Sequence, residues 1–167
     1  MTASSEPTPT GPRTRGLTLA LYWGSLVVGV LLPWVMQIGV EVWHRQQPLA
    51  AFFDGLYLRL FGPDSGLLFL SLLSAAPFAV YAVFALFHLG TAPRHGALVT
   101  RRRRLALLLA AAAMIAMSVW GHYAILTASG STASIGFLFL PIYLLIAMPL
   151  GYGLGRLIAR RWIRLTG

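Results

Sequence analysis

The sequence predicts an all-α, polytopic membrane protein: four transmembrane helices in an antiparallel bundle, plus a short interfacial helix on the periplasmic side. Three observations predict this class. Four nearly uncharged apolar runs are each about twenty residues long, enough to cross a bilayer core of roughly 30 Å. Only 10% of the 167 residues are charged while 57% are hydrophobic, whereas a soluble domain carries about a quarter charged residues to cover its surface. The basic residues, all arginine, gather at one set of run ends.

The chain opens with MTASSEPTPTGPRTRG, residues 1–16. Rich in Ser, Thr and Pro and lacking apolar side chains, it is expected to be a disordered cytoplasmic tail. One transmembrane domain, residues 17–164, follows. Its spans are predicted over residues 17–40, 67–89, 105–127 and 135–155. Each run is apolar all round, which marks a buried or membrane helix and not an amphipathic surface one. In lipid the backbone must satisfy its own hydrogen bonds, so the spans are helical. Barrel strands are about half as long and alternate in polarity. The first run is too long for the core of a cleaved signal peptide and no A-x-A-like site follows it, so it reads as an uncleaved signal-anchor.

Between the first two spans, Leu49, Phe52, Phe53, Leu56, Tyr57 and Leu60 recur at helical spacing. Pro48 suits the first turn and Gly62-Pro63 ends the pattern, predicting a helix over about residues 48–61. It is too short to span, so it is expected to lie in the outer interface; a lid over an outward-opening site is the functional alternative.

Arginine positions set the expected orientation. Arg13 and Arg15 precede the first span; Arg94, Arg101, Arg102, Arg103 and Arg104 lie between the second and third; Arg156, Arg160, Arg161 and Arg164 follow the fourth. Only Arg45 and Arg59 fall in the other long loop, with Glu41, Asp54 and Asp64, while Glu6 lies in the tail. The positive-inside rule then places both termini and the middle loop in the cytoplasm of a cell (inner) membrane. Arg101 to Arg104, Arg156, Arg160, Arg161 and Arg164 are thus topogenic, and they stand where anionic lipid headgroups attract them. A net charge of +9 suggests nucleic acid in a soluble protein. Here no aromatic or polar partners accompany the charge run, so a nucleic-acid partner is not expected.

Small residues are spaced for close helix contact: Ser25 and Gly29 in the first span, Ser71, Ala75 and Ala79 in the second, Ala147, Gly151 and Gly155 in the fourth, continued by Ala159. Such stripes let helix backbones approach and pack by van der Waals contact. The neighbour is either another span of the same chain or a partner protein or second copy. Pro33, Pro77, Pro141 and Pro149 are expected to kink three spans. Trp23, Trp34, Trp43, Trp120, Tyr123 and Trp162 fall mostly near span ends, as an interfacial belt does.

Ionisable groups at membrane depth are the best pointers to chemistry. Gln37, Glu41 and Arg45 follow one another at four-residue steps, and Glu41 to Arg45 is the favourable order for an ion pair. His122 lies more than a turn inside the outer end of the third span, with Ser118 one turn away. Gln37, Glu41, His44 and His122 therefore make a candidate outer vestibule. Glu41-x-x-His44 has the spacing of a carboxylate-bridged metal motif, but di-iron bundles use two copies and one is present. His44 and His122 could hold a haem only if both lay within the hydrocarbon, and His88 and His95 are equally peripheral. No metal and no cofactor are expected. A nucleophile beside His122 would have to be Ser129, Ser131 or Ser134 of the SGSTAS turn; no other enzyme site can be constructed. With cysteine absent, thiol catalysis, disulfides and thiolate metal sites are excluded. GYGLG ends an apolar helix instead of following a strand, so it is a packing motif and not a nucleotide loop.

The segment STASIGFLFLPIYLLIAMPLGYGLG resembles parts of many small bacterial membrane proteins, which implies location and no activity. The first span is unlike that of the four-helix multidrug exporters, which carry a mid-span glutamate where Val28 and Gly29 stand here. The expected function is a non-enzymatic accessory or scaffold subunit packing through its small-residue faces. The alternative is a small transporter or channel opening near Glu41 and His122.

Overall fold

The computed structural model describes residues 12–61, 67–91, 96–128 and 133–166. All regular structure among them is helical: α1 (Pro12–Gly39), continued by a π-helical turn (Val40–His44), α2 (Leu49–Asp54), α3 (Leu56–Phe61), α4 (Leu67–Gly90), α5 (Ala97–Thr127) and α6 (Ala133–Thr166). Four of these, α1 with its π turn, α4, α5 and α6, are long and apolar enough to cross a membrane. Residues 1–11, most of the stretch read as a tail, lie outside the described residues, as do Asp64, Arg94 and His95.

Helix ends differ from the hydropathy boundaries in an informative way. α1 begins at Pro12, inside the stretch read as tail; proline suits a first helical position because its missing N–H would be unpaired there anyway. α5 begins at Ala97 and so contains Arg101 to Arg104 instead of starting behind them. α6 continues through Arg156, Arg160 and Arg161 to Thr166. Arginine is a good helix former; it ends an apolar layer without ending a helix. The helices continue through Pro33, Pro77, Pro141 and Pro149.

The single interfacial helix expected over residues 48–61 is two short ones. Gly55 separates them at φ −90°, ψ 5°, as a residue with no Cβ and poor helix propensity readily does. Of the residues expected on the shared apolar face, Phe52 is buried, while Leu49, Phe53 and Tyr57 are exposed. The other departure is the π turn. Its extra residue is closed by the Arg45 amide on the Val40 carbonyl, 3.0 Å, and Gln46 then leaves the helix at φ 55°, a left-handed conformation uncommon for a residue with a side chain.

The core is built from Phe78, Tyr81, Ala85 and Leu89 of α4, Leu107, Ala110 and Met114 of α5, and Leu140 and Leu144 of α6. Small residues set how near the helices come. A Cβ added to Gly155 would lie 2.6 Å from the Ala106 Cα, and one on Gly151 would lie 2.9 Å from the Ala110 Cα. Near the other end of the pair, Gly136 faces Ile125 and Gly121 faces Leu140. The contacts climb α6 as they descend α5. Gly29 of α1 seats against α4 in the same manner, 3.1 Å from its missing Cβ to the Ala75 Cα and 2.8 Å to the Phe78 Cβ. Tyr81 ties α4 to α5 by donating its hydroxyl to the Leu107 carbonyl at 2.9 Å.

Candidate functional site

Two polar groups of side chains stand at opposite ends of α5. The first surrounds His122, near its C-terminus. Serine and histidine on successive turns of α5 bring Ser118 beneath the imidazole, and α4 supplies Ser74 from the far side. All three are buried, His122 at 1% exposure. The Ser118 carbonyl can only accept, so the contact of 2.8 Å to it makes His122 Nδ1 the protonated nitrogen. The Ser118 hydroxyl lies 3.3 Å from the same nitrogen. In that tautomer Nε2 of a neutral ring accepts, and the Ser74 hydroxyl stands 3.5 Å from it. The ring of Phe137 lies 6.0 Å away, centroid to centroid. This is a satisfied histidine that pins α5 to α4.

Glu41 is held by the π turn, also buried, at 6% exposure. Arg45, one turn on, donates Nη1 to Glu41 Oε1 at 3.1 Å and Nη2 to the Leu126 carbonyl at 3.4 Å. The arginine thus bridges the end of α1 to the end of α5, satisfying a C-terminal carbonyl while it neutralises a buried carboxylate.

The four residues expected to form an outer vestibule are therefore divided. Glu41 and His122 are both buried at this end, each engaged with a different neighbour. Gln37 is half-buried on α1. His44 is exposed, its ring 6.4 Å from that of Tyr123. His44 and Tyr123 share a largely apolar pocket of about 300 Å³ with Val35, Met36, Gly39, Val40 and Trp43. Gln37, Glu41 and His122 stand outside its lining. Among the described residues no three of His, Asp and Glu cluster as metal ligands. Ser129 and Ser131 lie outside the described residues, as does the side chain of Ser134, and the serines that face His122 are Ser74 and Ser118.

The packing residues are brought together. Ala147, Gly151, Gly155 and Ala159 are all buried, and the two glycines press on Ala106, Ala110 and Ala113 of α5. Gly29 and Ser71 are buried, while Ser25, Ala75 and Ala79 are half-buried; Ser25 donates to the Tyr22 carbonyl of its own helix at 2.9 Å.

The second polar group is the arginine-rich end. Arg101 is exposed, Arg102, Arg103 and Arg104 are half-buried, and Arg156, Arg160 and Arg161 are exposed; the side chain of Arg164 lies outside the described residues. Arg103 donates to the His88 carbonyl at 3.2 Å and to the Thr91 hydroxyl at 3.0 Å, capping the end of α4. His88, read from the sequence as a peripheral histidine, and Tyr152, not singled out there, sit within this end, with Tyr152 ring centroids 5.5 Å from His88 and 5.2 Å from Phe84. A histidine closing α4 and a tyrosine one turn before Arg156 were the available signals.

Comparison with protein-family models, with curated proteins and with solved structures finds no match.

Proposed function

We propose that this chain is a non-enzymatic accessory or scaffold subunit of the cytoplasmic membrane, an antiparallel four-span bundle with both termini and all its arginines except Arg45 and Arg59 on the cytoplasmic side. One observation carries the reading: the clustered core is apolar and the helix backbones are in direct contact at Gly29, Gly151 and Gly155. The stripes of small residues are thereby used inside the chain. A protein partner or a second copy accordingly meets the outer faces, which are apolar on all four long helices. On α6, Ile142, Ile146, Leu150 and Leu154 recur every fourth residue and are about half or more exposed.

Helix lengths support a headgroup-level position for the arginines of α5. From Arg104 to Thr127 α5 rises about 35 Å at 1.5 Å per residue, so Arg101 to Arg104 stand beyond a hydrocarbon layer measured from the other end. Anionic headgroups lie at that level. Trp43, Tyr57 and Phe61 are all exposed, as aromatic residues at a membrane interface are, which supports reading α2 and α3 as lying at the periplasmic one. The test is photo-crosslinking in native membranes from Ile142, Ile146 and Leu150. A discrete protein adduct is expected; adducts to lipid alone at all three positions and on the outer faces of α1 and α4 refute the scaffold reading. Reporter fusions in the Thr91–Thr100 connector are expected to report cytoplasm.

Glu41 and His122 are ionisable groups within two of the long apolar helices, the usual mark of a transport or proton site, and they carry a second reading, a small transporter or channel with an outer vestibule. It predicts solute or proton flux in liposomes that Glu41→Gln and His122→Ala abolish. Flux indifferent to both substitutions removes it.

A further inference from the structure

Where α4, α5 and α6 meet at the arginine-rich end, a pocket of about 180 Å³ opens between them. Its lining is His88 from α4, Val99, Arg102 and Arg103 from α5, and Tyr152, Arg156 and Arg160 from α6. Four arginines thus line one concavity, and among the described residues no carboxylate does. The described acids, Glu41 and Asp54, lie in the π turn and in α2, where Glu41 is already paired with Arg45. Like charges gathered at a partly enclosed site repel one another unless an anion joins them.

The donors are not all spent inside the chain. Among the described residues, Arg102 Nε is buried and meets no acceptor. A buried donor left unpaired is rare in a folded chain and calls for a partner. Arg103 is anchored to the end of α4, which fixes one wall. Arginine presents a planar fork that matches the oxygens of a phosphate two at a time, which a lysine ammonium cannot do. The rings of His88 and Tyr152, 5.5 Å apart between centroids, line the same concavity.

We propose that this pocket is a phosphate-binding site, with Arg102 and Arg156 as its principal ligands and Arg160 and the anchored Arg103 completing the charge. It deepens the reading of this end as the one facing anionic headgroups, and the lipid form of the proposal rests on that reading. Basic pockets between transmembrane helices on the cytoplasmic side take phospholipid headgroups; a soluble phosphate would use the same donors.

The test uses the full chain purified in a nonionic detergent and transferred to nanodiscs of phosphatidylcholine alone or with phosphatidylglycerol. Saturable binding of phosphatidylglycerol is read by native mass spectrometry and by the shift in melting temperature. Arg102→Met and Arg156→Met are each expected to weaken it roughly tenfold or more, the loss of a hydrogen bond to a charged group. Arg101→Met and Arg161→Met remove the same charge outside the pocket and are expected to change it less than about twofold. Arg102→Lys keeps the charge but lacks the buried Nε–H and the fork, so an intermediate loss is expected even where Arg102→Met folds poorly. Inorganic phosphate in phosphatidylcholine discs separates the sources: saturable binding lost in Arg102→Met assigns a soluble phosphate, and binding of phosphatidylglycerol only assigns the lipid. Equal losses from the pocket and control arginines, or saturable binding of neither ligand, overturn the proposal. Reporter fusions placing this end outside the cell would overturn the topology while leaving phosphate affinity in detergent intact.

Discussion

Gly155→Ala is the sharpest perturbation of this fold. The added methyl carbon would sit 2.6 Å from the Ala106 Cα and 3.2 Å from both the Ala106 carbonyl oxygen and the Leu109 Cβ. Its nearest obstacle is backbone, so no rotamer change relieves the clash. α5 and α6 must part by about 0.8 Å, the distance from that approach to the 3.4 Å at which ordinary contact begins. Separation loosens the neighbouring contacts of Gly151 with Ala110 and Ala113. Overpacking of this kind costs about 1–3 kcal/mol, against a gain of up to about 1 kcal/mol in helix propensity. Gly153, two residues away, supplies the control: a Cβ there meets nothing within 4 Å, so Gly153→Ala keeps the propensity gain without the clash.

The expected difference between the two variants is about 2 kcal/mol, roughly thirtyfold in the unfolding equilibrium. The assay is reversible unfolding in mixed micelles with dodecyl sulfate, followed by helical circular dichroism at two protein concentrations. Stability independent of concentration shows that the contact lies within one chain. If Gly155→Ala unfolds like Gly153→Ala, the close approach of α5 and α6 at this level is refuted. Gly151→Ala with Gly155→Ala should cost less than the two singly, since one separation accommodates both.

Tyr81→Phe removes the bond to the Leu107 carbonyl and little else, and should cost about 1 kcal/mol in the same assay; an unchanged unfolding curve would show that this bond is not made. Arg45→Ala should cost about 1 kcal/mol with Glu41 present and markedly less in a Glu41→Gln background, a cycle whose failure to couple would dissolve the ion pair. Arg103→Met uncaps α4, so hydrogen exchange at Leu89 to Thr91 should quicken while exchange around Leu140 stays as it was; protection retained at Thr91 would count against the cap.

Hydropathy made the four rods legible, because lipid-depth segments must be both apolar and long. The α6 stripe was legible too, since four small residues at four-residue steps have a narrow physical purpose. Its partner was not: Ala106, Ala110 and Ala113 lie in an alanine-rich run where almost any face is small, so only the tertiary register selects one. Hydropathy likewise misplaced the start of α5, because it registers where apolarity ends, and arginines extend a helix past that point. The π turn had no visible cause in its residues, and its effect, a buried Glu41 with Arg45 folded over it, looks from sequence like an ordinary helical pair. His122 was visible as a lone ionisable group. Ser74, its partner on α4, reads on its own as one more small packing residue.

The two ends of α5 show why counting charge along the chain finds orientation but not sites. Near its C-terminus the ionisable groups are few, and the structure closes them on one another: Arg45 on Glu41, His122 between Ser74 and Ser118. At the arginine-rich end the groups are many; Arg103 is drawn into capping a helix, while Arg102 keeps a buried donor without an acceptor. A topological signal requires only that the charges stay on their side of the bilayer, and exposed side chains such as Arg101 and Arg161 meet that requirement. It does not require Arg102, Arg103, Arg156 and Arg160 to line a common concavity with His88 and Tyr152. That convergence has an electrostatic cost in the bare chain, and a bound phosphate is the group whose charge and geometry remove it.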